Sequence, residues 1–170
     1  MFDLIGFRNW LMGQLHQFTD MMIVPNDDKP RPAKPFLAYS ITSPYIPQAA
    51  PPVIEYSDVV VEGQNLSRKQ RTEYPTVTFS FTAVADTMQE CYDVALKVFR
   101  WFSLEGHALL KERDVIVARL HPVQDRSLGL GERRSETQFE YRVGFDAALR
   151  AHSTISMDIE TIEIINTRKT

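Results

Sequence analysis

Residues 76–102, TVTFSFTAVADTMQECYDVALKVFRWF, change their hydrophobic period halfway along, and that change decides the fold. Val77, Phe79, Phe81 and Ala83 alternate with Thr76, Thr78, Ser80 and Thr82, which predicts a strand with one buried and one hydroxyl-rich face. Beyond Ala85 the spacing becomes helical, with Met88, Tyr92, Ala95, Phe99 and Phe102 on one stripe. Asp86 is the expected N-cap, with Gln89 as its capping-box partner. Glu90 and Asp93 come early and Lys97 and Arg100 late, as the helix dipole favours. Gly106 is expected to end this helix, with Leu109 and Leu110 on a short helical turn after it.

Upstream, Leu4, Phe7, Leu11, Leu15, Phe18 and Met22 predict an amphipathic helix over residues 1–24, with Asp3 at its positive end and Pro25 as its stop. Gly6 and Gly13 weaken that helix, so packing must hold it. Residues 25–52 hold eight of the ten prolines. One short strand, carried by Leu37, Tyr39 and Ile41, fits among them, and Ser43 to Pro52 reads as a stiff extended connection. A short apolar strand is expected around Val59–Val61, and residues 62–73, EGQNLSRKQRTE, read as an exposed loop or hairpin arm.

Downstream, residues 115–120 predict a strand ended by Pro122, and residues 124–134, QDRSLGLGERR, a second polar loop. The longest strand follows, with Phe139, Tyr141, Val143, Phe145, Ala147 and Leu149 on one face. A last strand runs from about Ile155 to Ile165, with a phase switch at Glu160–Thr161 that signals a bulge or twist. The order αβββαβββ predicts a single α+β domain over residues 1–170. Its sheet is mainly antiparallel and twisted, packed by an N-terminal and a central helix, with long polar loops.

Hydrophobic residues at 44% and charged residues at 24% exclude global disorder. A net charge of −3 disfavours a dedicated nucleic-acid coat. No apolar run approaches the ~18 residues of a membrane span, and the first residues lack the pattern of a secretory signal, so a cytosolic chain is expected. Cys91 stands alone, which excludes an internal disulfide, and its setting reads as a small hydrophobe. His16, His107, His121 and His152 lie in separate elements without ligand spacing. Gly129 and Gly131 lack the rest of a phosphate loop, and Glu140, Arg142 and Asp146 read as a solvent-facing ladder of alternating charge. No catalytic residue, cofactor site or metal site is therefore expected. Two basic clusters remain as candidate subunit or partner contacts. Arg68, Lys69 and Arg71, with Gln64 and Asn65 beside them, form the first, and Arg126, Arg133 and Arg134 the second.

Taken together, four stretches resemble the phage tail-terminator and neck-terminator proteins. They are Lys29-Pro-Arg-Pro-Ala-Lys-Pro-Phe-Leu-Ala-Tyr, Thr76-Val-Thr-Phe-Ser-Phe, the helix Met88–Phe102, and Phe139-Glu-Tyr-Arg-Val-Gly-Phe-Asp-Ala-Ala-Leu. The resemblance implies a structural virion protein without catalysis or cofactor. It would form a ring, usually a hexamer in that group, located in the tail or neck and assembled in the host cytoplasm. Implied partners are other copies of the chain, the tail tube protein, a head-tail connector or stopper, and a sheath protein where the tail contracts. DNA would pass only as non-specific cargo, and no membrane is involved. Two alternatives stand beside this one. A small-ligand or enzymatic α+β module would need a concave pocket with converging polar groups, and a DNA-binding adaptor would need the basic excess that is missing here.

Overall fold

The computed structural model describes residues 2–127 and 140–160. Helix α1 spans Leu4–Thr19, and the Asp3 carboxylate caps it by accepting from the Gly6 amide at 2.9 Å. It stops five residues short of Pro25, because Asp20 turns into the left-handed region (φ 55°) while its amide closes on the His16 carbonyl. Phe7, Leu11, Leu15 and Thr19 are the buried face. Met22 lies beyond the helix and is exposed, and Pro25 ends a short strand, β1 (Ile23–Pro25).

Strand β2 (Phe36–Ile46) is longer than the alternation predicts and passes through Pro44. Its ladder to the neighbouring strand shifts register at Ser43, and at such an irregularity a proline need not donate. The chain continues as β3 (Val53–Val61), β4 (Gln64–Glu73) and β5 (Thr76–Ala85). Helix α2 (Met88–Arg100) leads through a π-helical turn, Trp101–Glu105, into α3 (His107–Lys111). Strands β6 (Val115–Leu120), β7 (Gln124–Asp125), β8 (Tyr141–Ala151) and β9 (Ser153–Glu160) complete the described chain. Of the two readings of residues 62–73, loop or hairpin arm, the structure shows the hairpin arm, as a turn and a full return strand, and part of the second polar loop pairs as β7. Residues 128–139, with Gly129, Gly131, Arg133, Arg134 and Phe139, lie outside the described residues, as does the expected phase switch beyond Glu160.

The architecture is α+β. One sheet has the order β1-β2-β5-β8-β6, with β7 also on β8, and every pairing is antiparallel except β1 with β2. A second, fully antiparallel sheet has the order β3-β4-β9. The two sheets are lengths of one ribbon. The register Leu66↔Glu160 to Glu73↔Ser153 runs on without a slip into Thr76↔Arg150 to Ala85↔Tyr141. At the junction the Ala151 amide donates to the Pro75 carbonyl, and Tyr74 stacks on His152 with ring centroids 5.3 Å apart.

The core fills one face of the body sheet. Val77, Phe79, Phe81 and Ala83 of β5 and Val143, Phe145, Ala147 and Leu149 of β8 pack against α1 and α2. The α2 contact line runs through Cys91, Val94, Ala95 and Val98, with Met88, Tyr92 and Phe99 only partly buried at its flanks. Small side chains win that line because the helix sits close to the strands: the Cys91 thiol lies 3.0 Å from the Tyr141 carbonyl. The cap is also one residue later than expected. The Thr87 hydroxyl accepts from the Glu90 amide, Asp86 pairs with Lys34 at 3.1 Å, and Gln89 donates to Asp93. Gly106 follows the π turn instead of ending α2; a Cβ there would lie 2.7 Å from the Trp101 ring, so the glycine is what lets the indole bury.

Candidate assembly surface

The β3-β4-β9 sheet projects from the body as an arm. Glu62 and Gly63 (φ 51° and 82°) form the two-residue turn between β3 and β4, with both residues left-handed as a twisted hairpin requires. Nine residue pairs, Val53↔Thr72 to Val61↔Gln64, follow without a slip, a length of about 30 Å at ~3.3 Å per residue. Alternation sorts its side chains by face. On one face lie Ser57, Arg68, Gln70, Ser156 and Asp158, with Val53, Val59, Val61 and Leu66 among them. The other continues the face that α1 and α2 cover in the body, but no described helix covers it here. Its outer strands carry Ile54, Tyr56 and Val60 on β3 and Ile155, Met157 and Ile159 on β9, while Asn65, Ser67, Lys69 and Arg71 occupy the middle strand. These apolar residues are exposed, Tyr56, Val60 and Met157 by 60% or more (63%, 70% and 61%).

The candidate contact residues fall in three places. Gln64 and Asn65 sit beside the hairpin turn, opposite Val61 and Val60. Arg68 holds the cross-strand Asp158 with two bonds of 2.6 and 3.0 Å, and these bonds keep that carboxyl below its ordinary range. Lys69 and Arg71 point to the opposite face, where the Lys69 ammonium lies 5.9 Å from the Tyr56 ring centroid and Arg71 pairs with the nearly buried Glu73 at 2.9 Å. Arg126 is in the body, on the hydroxyl-rich face of β5. It donates to Ser80 (2.7 Å), Thr82 (3.2 Å) and Asp146 (2.8 Å). The structure therefore does not bring Arg126 to the arm, and Arg133 and Arg134 lie outside the described residues. The apolar rows of β3 and β9 escaped the sequence reading as surface features, because exposed alternation and buried alternation look the same in one chain.

Glu140, Arg142 and Asp146, just before and within β8, are half-buried and paired, not a plain solvent ladder. Glu140 accepts from Arg142 (2.9 Å) and Arg31 (3.0 Å), tying the proline segment to the sheet. Burial pushes the Glu140 carboxyl up, but Arg142, Arg31 and Lys34 outweigh it and hold it below the ordinary value. For Asp146, burial is likewise overcome by the Ser80 hydroxyl and the Arg126 guanidinium. Both groups bind fewer protons folded than unfolded. Their contribution is complete above the unfolded values of about 4 and is lost as pH falls through the lower folded values. The melting temperature should therefore drop below about pH 4, with a shallower drop for Asp146→Asn. Equal acid slopes for the two proteins in a thermal melt series would remove Asp146 from the account.

Among the described residues no group of three or more His, Cys, Asp or Glu could hold a metal ion. Burial pushes the Cys91 thiol up, away from the thiolate. An open groove of about 300 Å³ lies at the junction of the two sheets, lined by Tyr74, Lys111, Asp114, Ile116, Arg150 and His152. No described helix is long and apolar enough to cross a membrane.

No curated protein matches the chain. The family model described as phage neck terminator protein matches residues 9–170, which takes in most of α1, the proline segment, the whole body sheet and the arm. Nearly the full length is covered, and the chain belongs to the phage neck terminator protein family.

Proposed function

We propose that this chain works in the virion neck as a structural ring of six copies. The ring caps the tail tube, stops its growth and offers a docking surface to the head-side connector or stopper. The observation that carries this reading is the arm. About 30 Å of sheet leaves the body with apolar residues exposed on both outer strands, and exposed apolar surface of that extent marks a place where protein meets protein. The neck-terminator family supplies the setting. Identical subunits joined head to tail close into a ring when the rotation between them allows, and each docked ring then engages several partner copies at once. On this reading the partners are further copies of the chain, the tube protein, the connector, and a sheath protein if the tail contracts. DNA passes through as cargo, and the charge of −3 leaves it nothing strong to hold. The chain acts as one domain and makes or breaks no bond.

Light scattering and negative-stain images, of the chain alone and with tube subunits, test this. A chain that stays monomeric and never joins tubes overturns it. Replacing Arg68, Lys69 and Arg71 together by Ala should weaken assembly about 10-fold or more while leaving the fold intact. The exposed contacts of Arg68 and Lys69 each contribute little to folding and the loss of Arg71 from the nearly buried Glu73 costs about 1–3 kcal/mol, whereas charges at an interface act on encounter and register. Unchanged assembly of the triple variant would make these three residues bystanders.

A further inference from the structure

The arm is built inside out for a sheet that stands alone. In a free three-stranded sheet the middle strand is the most shielded and suits apolar side chains, yet here the helix-side face of β4 carries Asn65, Ser67, Lys69 and Arg71. The apolar residues of this face sit on the two outer strands, Ile54, Tyr56 and Val60 on β3, with Asp58 between the last two, and Ile155, Met157 and Ile159 on β9. The outer edges of β3 and β9 pair with no described strand. Natural edge strands are normally blunted by proline, lysine or a bulge. Neither VIEYSDVVV nor STISMDIE contains a proline or lysine, and neither ladder shifts register; the charges of β3 are Glu55 and Asp58, one on each face. The one charge of β9 whose side chain is described, Asp158, is already neutralised by Arg68.

From these observations we infer that the outer edge of β9 in one copy pairs with the outer edge of β3 in the next copy, so that the arms join into one continuous closed sheet. The inference rests on the ring reading above and names its joint. Both β3 and β9 run antiparallel to β4, so they run parallel to each other. Copies related by rotation about a single axis therefore meet β9 to β3 in parallel alignment, and the joint repeats around the ring. Pairing like edges instead would give a two-fold dimer and leave the second edge open. The joint brings Ile155, Met157 and Ile159 of one copy beside Ile54, Tyr56 and Val60 of the next, at a strand spacing of about 4.8 Å. The two rows that β4 separates within a copy thereby become one largely apolar stripe between copies, interrupted at Asp58. An eight-residue edge is about 26 Å long and about 10 Å deep, or roughly 260 Å² on each side. A stable pairwise interface buries about 800 Å² per partner. A single joint therefore falls short of a stable dimer, and closure, which gives every copy two joints, is the favoured outcome.

Cysteine pairs test the joint in the full chain. Tyr56→Cys is combined in turn with Ile155→Cys, Met157→Cys or Ile159→Cys, all at exposed positions, to allow for stagger between copies. Within one copy the two strands lie two spacings apart, about 9.6 Å, beyond the ~7 Å that a disulfide spans, and Cys91 is buried. Oxidation of assembled protein, with tube subunits present if assembly needs them, should move most of the monomer band of at least one double variant into a ladder ending at the ring's copy number. The single-cysteine variants should remain monomeric. Dimers from a single variant would establish a two-fold joint and overturn the inference. Rings in the images without a ladder from any of the three pairs would overturn it while leaving the ring reading in place. Absence of rings under every condition would overturn both.

Discussion

Phe81→Ala is expected to lower the unfolding free energy by about 3–5 kcal/mol and the melting temperature by about 10 °C or more. Phe81 is fully buried and stands where strand and helix layers meet, its ring centroid 5.3 Å from Phe102, 5.7 Å from Phe145 and 6.1 Å from Phe79. Removing the ring takes partners from three other aromatic side chains at once, and residues fixed on β5, β8 and the π turn cannot all close on the gap. Against a total of about 5–15 kcal/mol for a typical domain, such a loss brings the chain near unfolding and removes assembly with it. Denaturant titration followed by circular dichroism measures the effect. A change below about 1 kcal/mol would mean that the Phe81 site relaxes far more than its packing implies.

Gly144→Ala is the second large effect, at about 2–3 kcal/mol. Gly144 lies opposite Thr82, and an added methyl would overlap the Phe81 carbonyl oxygen while meeting Thr82 Oγ1 at 3.0 Å and Arg126 Cδ at 3.1 Å. The carbonyl belongs to the β5 backbone and cannot rotate away, so the strands must part or the Arg126 side chain must leave. If Arg126 leaves, Asp146 loses its guanidinium partner, and the acid slope of stability should flatten together with the loss at neutral pH. The destabilisation from Gly144→Ala and from Arg126→Ala should then add to less than their sum in the double variant. Full additivity would show that the cost comes from the strands alone. Both changes act in the body, whereas the alanine and cysteine variants of the arm leave the core untouched. The two groups therefore separate loss of fold from loss of contact.

The body was legible from the chain because each of its main elements buries one side. Alternation over Val77–Ala83 and Val143–Leu149 and the helical spacing after Met88 are direct images of that burial. The same reasoning explains the misses. Strand β4 is polar on both faces and so shows no hydrophobic period, and its QNLSRKQRTE reads as a loop or hairpin arm without a visible strand. Strand β3 begins six residues earlier than its valines suggest, since Val53 to Asp58 are exposed on either side. Strands β1 and β7 are too short to carry any pattern. At the candidate surface, the charges of Arg68, Lys69 and Arg71 were visible, but not that neighbours in the same chain engage them or that alternation divides them between two faces. Arg126 stood in a polar stretch and gave no sign of its reach to Ser80 and Asp146, residues supplied by two other strands.

The unbroken ladder through the junction of the two sheets has a further consequence. A thin, water-washed sheet specifies its own alignment weakly, and a slip by one residue would cost such a sheet little. Here the same slip would have to run on into the body, turning Phe79, Phe81 and Phe145 out toward solvent. The hidden half of the ribbon thus serves as a ruler for the visible half. Any molecule that folds at all must display its β9 border in the same phase, and that uniformity is what interchangeable parts need in order to fit one another.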